Sequence, residues 1–233
     1  TRIQAGEYLI AETDSPRDVL DKMVTGRVLL HSVTLVEGWT YWEMLGKLSG
    51  LEVLEDDLSS LDPEALMAHL GAPGAHPEGR FFPDTYHVPR GTLASKVLRS
   101  AMLRMDDELA QAWSARDPEL PLDNPYQVLI LASVVEKETA LASERPTIAG
   151  VFSRRLQKRM RLQTDPTVIY GLGQSFDGNL RKADLERDGP YNTYTRRGLP
   201  PTPICLPGRE ALMAAARPVE GKALYFVATG EDD

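Results

Sequence analysis

The alternation of apolar and polar positions divides the chain into short helices and extended segments of mixed order. Arg2 to Glu12 reads as a strand interrupted at Gly6. Ser15 then offers a helix N-cap with Pro16 at the first helical position and Asp18 in the first turn. Gly26 closes that helix after Val19, Leu20 and Met23. Val28 to Val36, rich in leucine and β-branched residues, predicts a strand. Thr40 and Glu43 form a capping box opening a helix that ends near Gly50. Together these make a small β-α-β-α unit. Asp62 and Pro63 open a further helix closing at Gly71, and the Gly- and Pro-rich run from Ala72 to Gly79 reads as a linker.

After the extended stretch Arg80 to Pro89, Thr92 caps a long amphipathic helix reaching Ala115, with Leu93, Val97, Ala101, Leu103 and Leu109 near one face. Pro125 begins the most apolar helix of the chain, extending to Ala142, and Ser143 with Pro146 caps the next, which ends near Arg159. From Arg161 to Leu206 turn residues multiply and periodicity fades, which predicts functional loops. Arg209 to Ala216 predicts a helix and Ala223 to Thr229 a closing strand. The expected class is α+β, with a small N-terminal unit and linker over residues 1–75 and a larger mixed unit over 76–233.

Composition narrows the chemistry. With 233 residues, 42% hydrophobic and 26% charged, the chain can bury an ordinary core. Its longest apolar run, Val128 to Val135, is broken only by Ser133 and is less than half the ~18 residues of a membrane span. A net charge of −8 opposes nucleic acid unless a local basic patch overcomes it, so no nucleic-acid partner is expected. The single cysteine, Cys205, excludes an internal disulfide framework and a thiolate metal site. His31, His69, His76 and His87 have no helical metal spacing, and phosphate-loop, dinucleotide, zinc-helix, serine-elbow and paired-cysteine motifs are absent. No metal or cofactor is expected.

Two acids stand out in LILASVVEKETALASE. Glu138 lies three, four and seven residues after Val135, Val134 and Leu131, and three and four before Leu141 and Ala142, so it projects from an apolar stripe. Such surroundings raise a carboxyl pKa. Glu136 follows Ala132 and Ser133 on a smaller, more polar face. The bland alternative is that both acids mark the helix emerging into water, with Lys137 and Arg145 as salt-bridge partners. Two later segments, RLQTDPTVIYG and YNTYTRRGLPPTP, gather amides, hydroxyls and aromatic rings into loops held by proline. Rings that cover a sugar face and amides that bond its hydroxyls make Gln163, Thr164, Asp165, Tyr170, Tyr191, Asn192 and Tyr194 candidate substrate-binding residues. Ordinary turn chemistry is the alternative for both loops. A further segment, EGRFFPDTYHVP, reads as a buried hairpin plug.

With ASVVEKET, RLQTDPTVIYG, YNTYTRRGLPPTPI and EGRFFPDTY in one chain, the sequence closely resembles the endolytic murein transglycosylase family (MltG, YceG-like), from about Val28 to the C-terminus. The resemblance implies a LysM-like N-terminal domain before a catalytic domain, and a bacterial enzyme that cuts peptidoglycan glycan strands internally. It also implies a single-pass inner-membrane anchor ahead of Thr1, a catalytic domain on the extracytoplasmic side, and possible contact with the cell-wall synthesis machinery. On that resemblance the anchor is expected outside the residues from Thr1 onward, and a Gly/His/Phe/Asn-containing tail usual in the family is expected beyond ATGEDD. In the implied reaction one glutamate acts as acid and then base; its apolar stripe and the Glu138-Thr139 step favour Glu138 over Glu136. A hydrolytic muramidase using Asp165 as second carboxylate, and a non-catalytic glycan-binding scaffold, are the competing functions.

Overall fold

Local capping chemistry sets several helix boundaries in the computed structural model, which describes residues 3–226. In chain order the elements are α1 (Pro16–Thr25), β1 (His31–Thr34), α2 (Tyr41–Leu48), β2 (Leu54–Glu55), α3 (Pro63–Leu70), β3 (Thr85–Val88) and β4 (Thr92–Leu93). Then follow α4 (Ala94–Ser114), α5 (Pro125–Glu138), α6 (Arg145–Gln157), α7 (Asp165–Leu172), a 3-10 turn at Gly173–Ser175, α8 (Lys182–Glu186) and α9 (Arg209–Ala216). Capping boxes at Ser15/Asp18 and Thr40/Glu43 open α1 and α2, and Asp62 caps α3 through the Ala65 amide. Strand β1 pairs antiparallel with β3, Thr34 opposite Thr85, while β2 pairs parallel with β4. The architecture is mixed, helices around two small two-stranded sheets.

Several expected boundaries shift, each for a local reason. The described part of Arg2 to Glu12 forms no strand: its backbone meets the neighbouring segments at isolated bonds, the Gln4 amide to the Met23 carbonyl, the Leu29 amide to the Glu7 carbonyl and Lys22 Nζ to the Leu9 carbonyl, and no ladder forms. The β-α-β-α reading of the N-terminal unit therefore loses its first strand. Thr92 sits in β4 and its hydroxyl donates to the Pro89 carbonyl, so α4 begins two residues past it, at Ala94, its Ser95 amide capped by Asp57 at 3.0 Å. Leu103 is 58% exposed, whereas Met102 and Met105 carry the buried face. Helix α5 stops at Glu138 rather than Ala142, because Thr139 is extended and its hydroxyl accepts from the Leu141 amide and donates to Glu144. Glu144, not Ser143, is then the N-cap residue of α6. The segment expected to be loops contains two helices: α7, which tolerates Pro166 in its first turn, and the short α8. Ala223 to Phe226 form no strand, and 227–229 of that expected strand lie outside the described residues.

Two hydrophobic clusters share one long helix. The N-terminal half of α4 supplies Ala94, Val97, Leu98, Ala101 and Met102 to a cluster with Val33, Leu35, Met44, Leu66 and Phe81. Its C-terminal half supplies Met105, Leu109 and Ala112 to a second cluster built on α5, α6 and α9. Adjacent Phe81 and Phe82 enter opposite clusters, as successive side chains of an extended backbone do, so the aromatic plug fastens both.

Within the second cluster α5 is enclosed from Val128 to Glu136, with α4, α6, α7 and α9 packed against it. Ser133 is the one hydroxyl in that enclosed stretch; it donates to the Ile130 carbonyl at 2.7 Å and accepts the Ile204 amide at 3.0 Å. Replacing Ser133 by Ala leaves the Ile204 amide buried and unpaired. We predict a loss of about 1–3 kcal/mol in denaturant unfolding, with cooperativity retained; a loss below about 0.5 kcal/mol would contradict it.

Candidate active site

The last turn of α5 sends its three charged residues in three directions. Lys137 reaches solvent and its Nζ donates to the Gly38 carbonyl at 3.3 Å. Glu136 turns inward: Oε1 pairs with Arg145 Nη2 at 2.7 Å, and Oε2 accepts the Gly208 amide at the N-cap of α9 at 2.9 Å. Arg145 also reaches Glu210 at 3.1 Å and Glu37 at 3.6 Å, so it gathers three carboxylates. A Cβ at Gly208 would stand 1.9 Å from Glu37 Oε1, so a side chain there would push the Glu37 carboxylate aside from Arg145. Burial raises the Glu136 pKa, against the Gly208 amide and Arg145, which lower it. Both Glu136 oxygens are thus occupied in joining α5 to α6 and α9. Arg145 is the salt-bridge partner expected from sequence, but the pair is buried rather than emerging into water.

Glu138, half-buried at the helix end, has a different environment. Its Oε2 accepts a short hydrogen bond from the Thr164 hydroxyl, and among the described residues Oε1 has no hydrogen-bond partner. Burial raises its pKa above the ordinary value of 4.5; the Thr164 hydroxyl opposes this and the charge of Asp165 adds to it. Thr164 is itself fixed by Thr193, whose hydroxyl accepts the Thr164 amide at 3.1 Å and lies 2.9 Å from the Thr167 hydroxyl. The neighbouring Gln163 amide donates to the Thr193 carbonyl at 3.2 Å, which holds Gln163 at a positive φ of 52° with its side chain exposed. Asp165, the first residue of α7, accepts the Tyr194 hydroxyl at 2.5 Å. Burial first, and then this bond to Asp165, raise the Tyr194 pKa.

Glu138, Thr164, Asp165 and Tyr194 therefore form one cluster, with Gln163 beside it. Tyr170 and Tyr191 lie further along, their rings packed edge to face at 4.9 Å, and the Tyr191 hydroxyl sits 2.8 Å from that of Thr202. Asn192 is buried, and its side chain is committed to its own loop. Its amide nitrogen donates to the carbonyls of Asp184, Leu185 and Arg187, and its oxygen accepts the Tyr194 and Thr195 amides. Thr167 and Thr193 were not singled out by sequence; their spacing carries no periodic signal, and only the pairing of the two loops reveals them. Among the described residues no group of three or more His, Cys, Asp or Glu side chains could hold a metal ion.

Saturated hydrogen bonding gives Asn192 a defined expectation. Asn192→Ala removes five backbone partners at once, so unfolding should be easier by about 2 kcal/mol or more. Normal thermal stability with lost function would instead assign that amide to a ligand. Melting temperature and activity per folded molecule, measured together, separate the two.

Comparison with known proteins follows the same geometry. A crystal structure of a yceG-like protein from Listeria monocytogenes superposes with a TM-score of 0.71 at 28% identity, covering 97% of this chain and 80% of that one. A Bacillus subtilis protein named endolytic murein transglycosylase is 38% identical over 154 residues, 66% of this chain and 42% of its own length. A protein of the same name from Streptococcus pneumoniae is 28% identical over an alignment spanning 267 positions, 98% of this chain and 47% of its own. The chain thus spans under half the length of these two relatives. The model of the YceG-like family matches residues 1–233, and the chain belongs to that family.

Proposed function

We propose that this chain carries the catalytic unit of an endolytic peptidoglycan lytic transglycosylase, with Glu138 as the only group transferring protons. The carrying observation is the contrast between the two glutamates of α5: Glu136 has both oxygens bound, whereas Glu138 has one oxygen held by Thr164 and the other open. The names of the relatives support the substrate class. In the reaction, protonated Glu138 gives its proton to the oxygen between N-acetylmuramic acid and N-acetylglucosamine as the bond from muramic C1 breaks. The resulting carboxylate takes the proton of the muramic C6 hydroxyl, whose oxygen bonds to C1 and closes a 1,6-anhydro ring. No water is consumed, and Glu138 ends protonated for the next cleavage.

An acid that starts protonated near neutral pH needs a raised pKa, which burial and Asp165 supply at Glu138. Tyr194 and Gln163 stand where they can meet sugar hydroxyls and N-acetyl groups. The resemblance supports a LysM-like role in glycan binding for the N-terminal unit, and an extracytoplasmic, membrane-anchored setting for the whole protein. No helix among the described residues is long and apolar enough to cross a membrane. A hydrolytic reading draws on Asp165, whose charge lies close enough to act on Glu138, as a second carboxylate positioning water.

Glu138→Gln should keep the fold and lower glycan cleavage by more than the 10²–10⁴ typical of one general acid. Glu136→Gln should lower the melting temperature yet retain most cleavage per folded molecule. Because the protonated form acts, turnover should fall as pH rises through the raised pKa of Glu138. Mass spectrometry of the products should give 1,6-anhydro ends; reducing ends would install the hydrolytic reading, and full activity of Glu138→Gln would remove Glu138 as the acid.

A further inference from the structure

A carboxyl outside the Glu138 cluster is buried with no cation beside it. Glu78, in the segment preceding the phenylalanine pair, is 1% exposed. Its Oε1 accepts the amide of Tyr41, the first residue of α2, at 2.9 Å, and its Oε2 accepts the Tyr170 hydroxyl of α7 at 3.0 Å. None of the ion pairs among the described residues includes it. Each donor meets its own carboxylate oxygen, whereas an uncharged glutamine has one accepting oxygen and one donating NH2 and could not accept both in this way.

What Glu78 holds connects it to the site. Tyr170 lies on the helix whose N-cap and first residue, Thr164 and Asp165, belong to the Glu138 cluster. Its ring packs on Tyr191 at 4.9 Å, and it also borders a cavity of about 420 Å³ shared with Trp42, Glu64, His76 and Glu78. Trp42 is 63% exposed, so an aromatic face is open to a ligand at that cavity. Tyr170 thus stands between the loop beside Glu138 and an aromatic-lined hollow reached from α2.

We propose that Glu78 is a positioning residue for glycan binding: by fixing the Tyr170 hydroxyl against α2, it sets the ring wall along which the strand lies. This rests on the glycan-cleaving reading above. The groups around Glu78 make the hold depend on protonation. Facing it are Tyr41 and Glu43 of α2, Tyr126 of α5, Tyr170 of α7 and the Cys205 thiol. On its own segment, His76 accepts the Glu78 amide through Nδ1, and Arg80 is engaged over the Tyr126 ring at 5.0 Å. Burial pushes the Glu78 carboxyl up to about 7, against the Tyr41 amide and Tyr170 hydroxyl. Ionisation converts the Tyr170 bond into a charge-assisted one, so the hold tightens as pH rises through about 7.

The test uses soluble, uncrosslinked glycan strands and a Glu138→Gln chain, which removes both turnover and the titration of Glu138. Calorimetric affinity from about pH 5.5 to about pH 8 should rise several-fold through neutrality. Glu78→Gln in that background should flatten the rise. Tyr170→Phe should lower affinity about tenfold and flatten it as well, and the two changes together should be no worse than Tyr170→Phe alone, because they remove one interaction. With Glu138 intact, both single variants should raise KM while kcat stays within about twofold. Thermal melts on each variant give the folded fraction; should Glu78→Gln not fold, Tyr170→Phe decides alone. A pH-dependent affinity that survives either change, effects that add, or a lowered melting temperature with unchanged affinity per folded molecule overturns the inference. Absence of both cleavage and binding in the unaltered chain overturns the functional reading, and this inference with it.

Discussion

A helix that is apolar on every side can exist in water only if other elements surround it, and α5 is that helix. From Val128 to Val135 no face is left polar apart from Ser133, so α4, α6, α7 and α9 must all come to it. Enclosure on all sides leaves only the helix end near solvent. Three consecutive residues there, each rotated about 100° from the last, face three environments. Glu136 meets Arg145 and the amide at the start of α9, Lys137 meets solvent and the Gly38 carbonyl, and Glu138 meets Thr164. One acid thereby becomes part of the scaffold while its neighbour but one stays available.

The scaffold acid matters for the other. A buried glutamate held by an arginine and a helix N-terminus fixes the axial and rotational position of α5, since either slip would leave charges unpaired in the interior. With the helix locked, the position of Glu138 is set by covalent geometry. Its partner Thr164 is fixed independently, through Thr193 and Thr167, so the short bond between them joins two separately anchored pieces. Phe81 and Phe82 extend the same rigidity to the N-terminal unit, as each anchors in a different cluster and neither can shift alone.

What the sequence discloses and what it withholds separate along a physical line. Helices α1 and α3 are legible to within a residue or two because a cap, a proline and a C-terminal glycine act within a few positions of one another, and α2 because Thr40 and Glu43 form a capping box. The end of α5 is not, since it is drawn by Thr139 bonding forward to Glu144, and the Arg2 to Glu12 segment is not, since a strand needs a partner that hydropathy cannot name. The site divides in the same way. The apolar residues Leu131, Val134 and Val135 before Glu138 are a local property and foretell its raised pKa, whereas Leu141 and Ala142 lie beyond the helix end and Leu141 is exposed. Whether an amide such as Asn192 ties a loop or meets a ligand depends on which carbonyls the chain brings near it, and five backbone groups around that side chain answer for the loop. Glu78 was hidden because its meaning lies in Tyr170, 92 positions away.

In the proposed reaction a single carboxyl, serving first as acid and then as base, meets two opposing demands. It must hold its proton long enough to deliver it to the leaving oxygen, yet its carboxylate must be stable enough to form and basic enough to reclaim a proton from a hydroxyl. Burial and the negative charge of Asp165 act on the first demand, and the Thr164 hydroxyl on the second. Tyr194 donates to Asp165 and so holds in place the carboxylate whose charge raises the Glu138 pKa. Removing burial would bring the Glu138 pKa back toward its ordinary value, against the first demand, and removing Thr164 would take away the hydrogen bond that favours the carboxylate, against the second. The loop pairing that fixes Thr164 therefore belongs to the proposed chemistry as much as the acid does, although none of its threonines exchanges a proton with substrate.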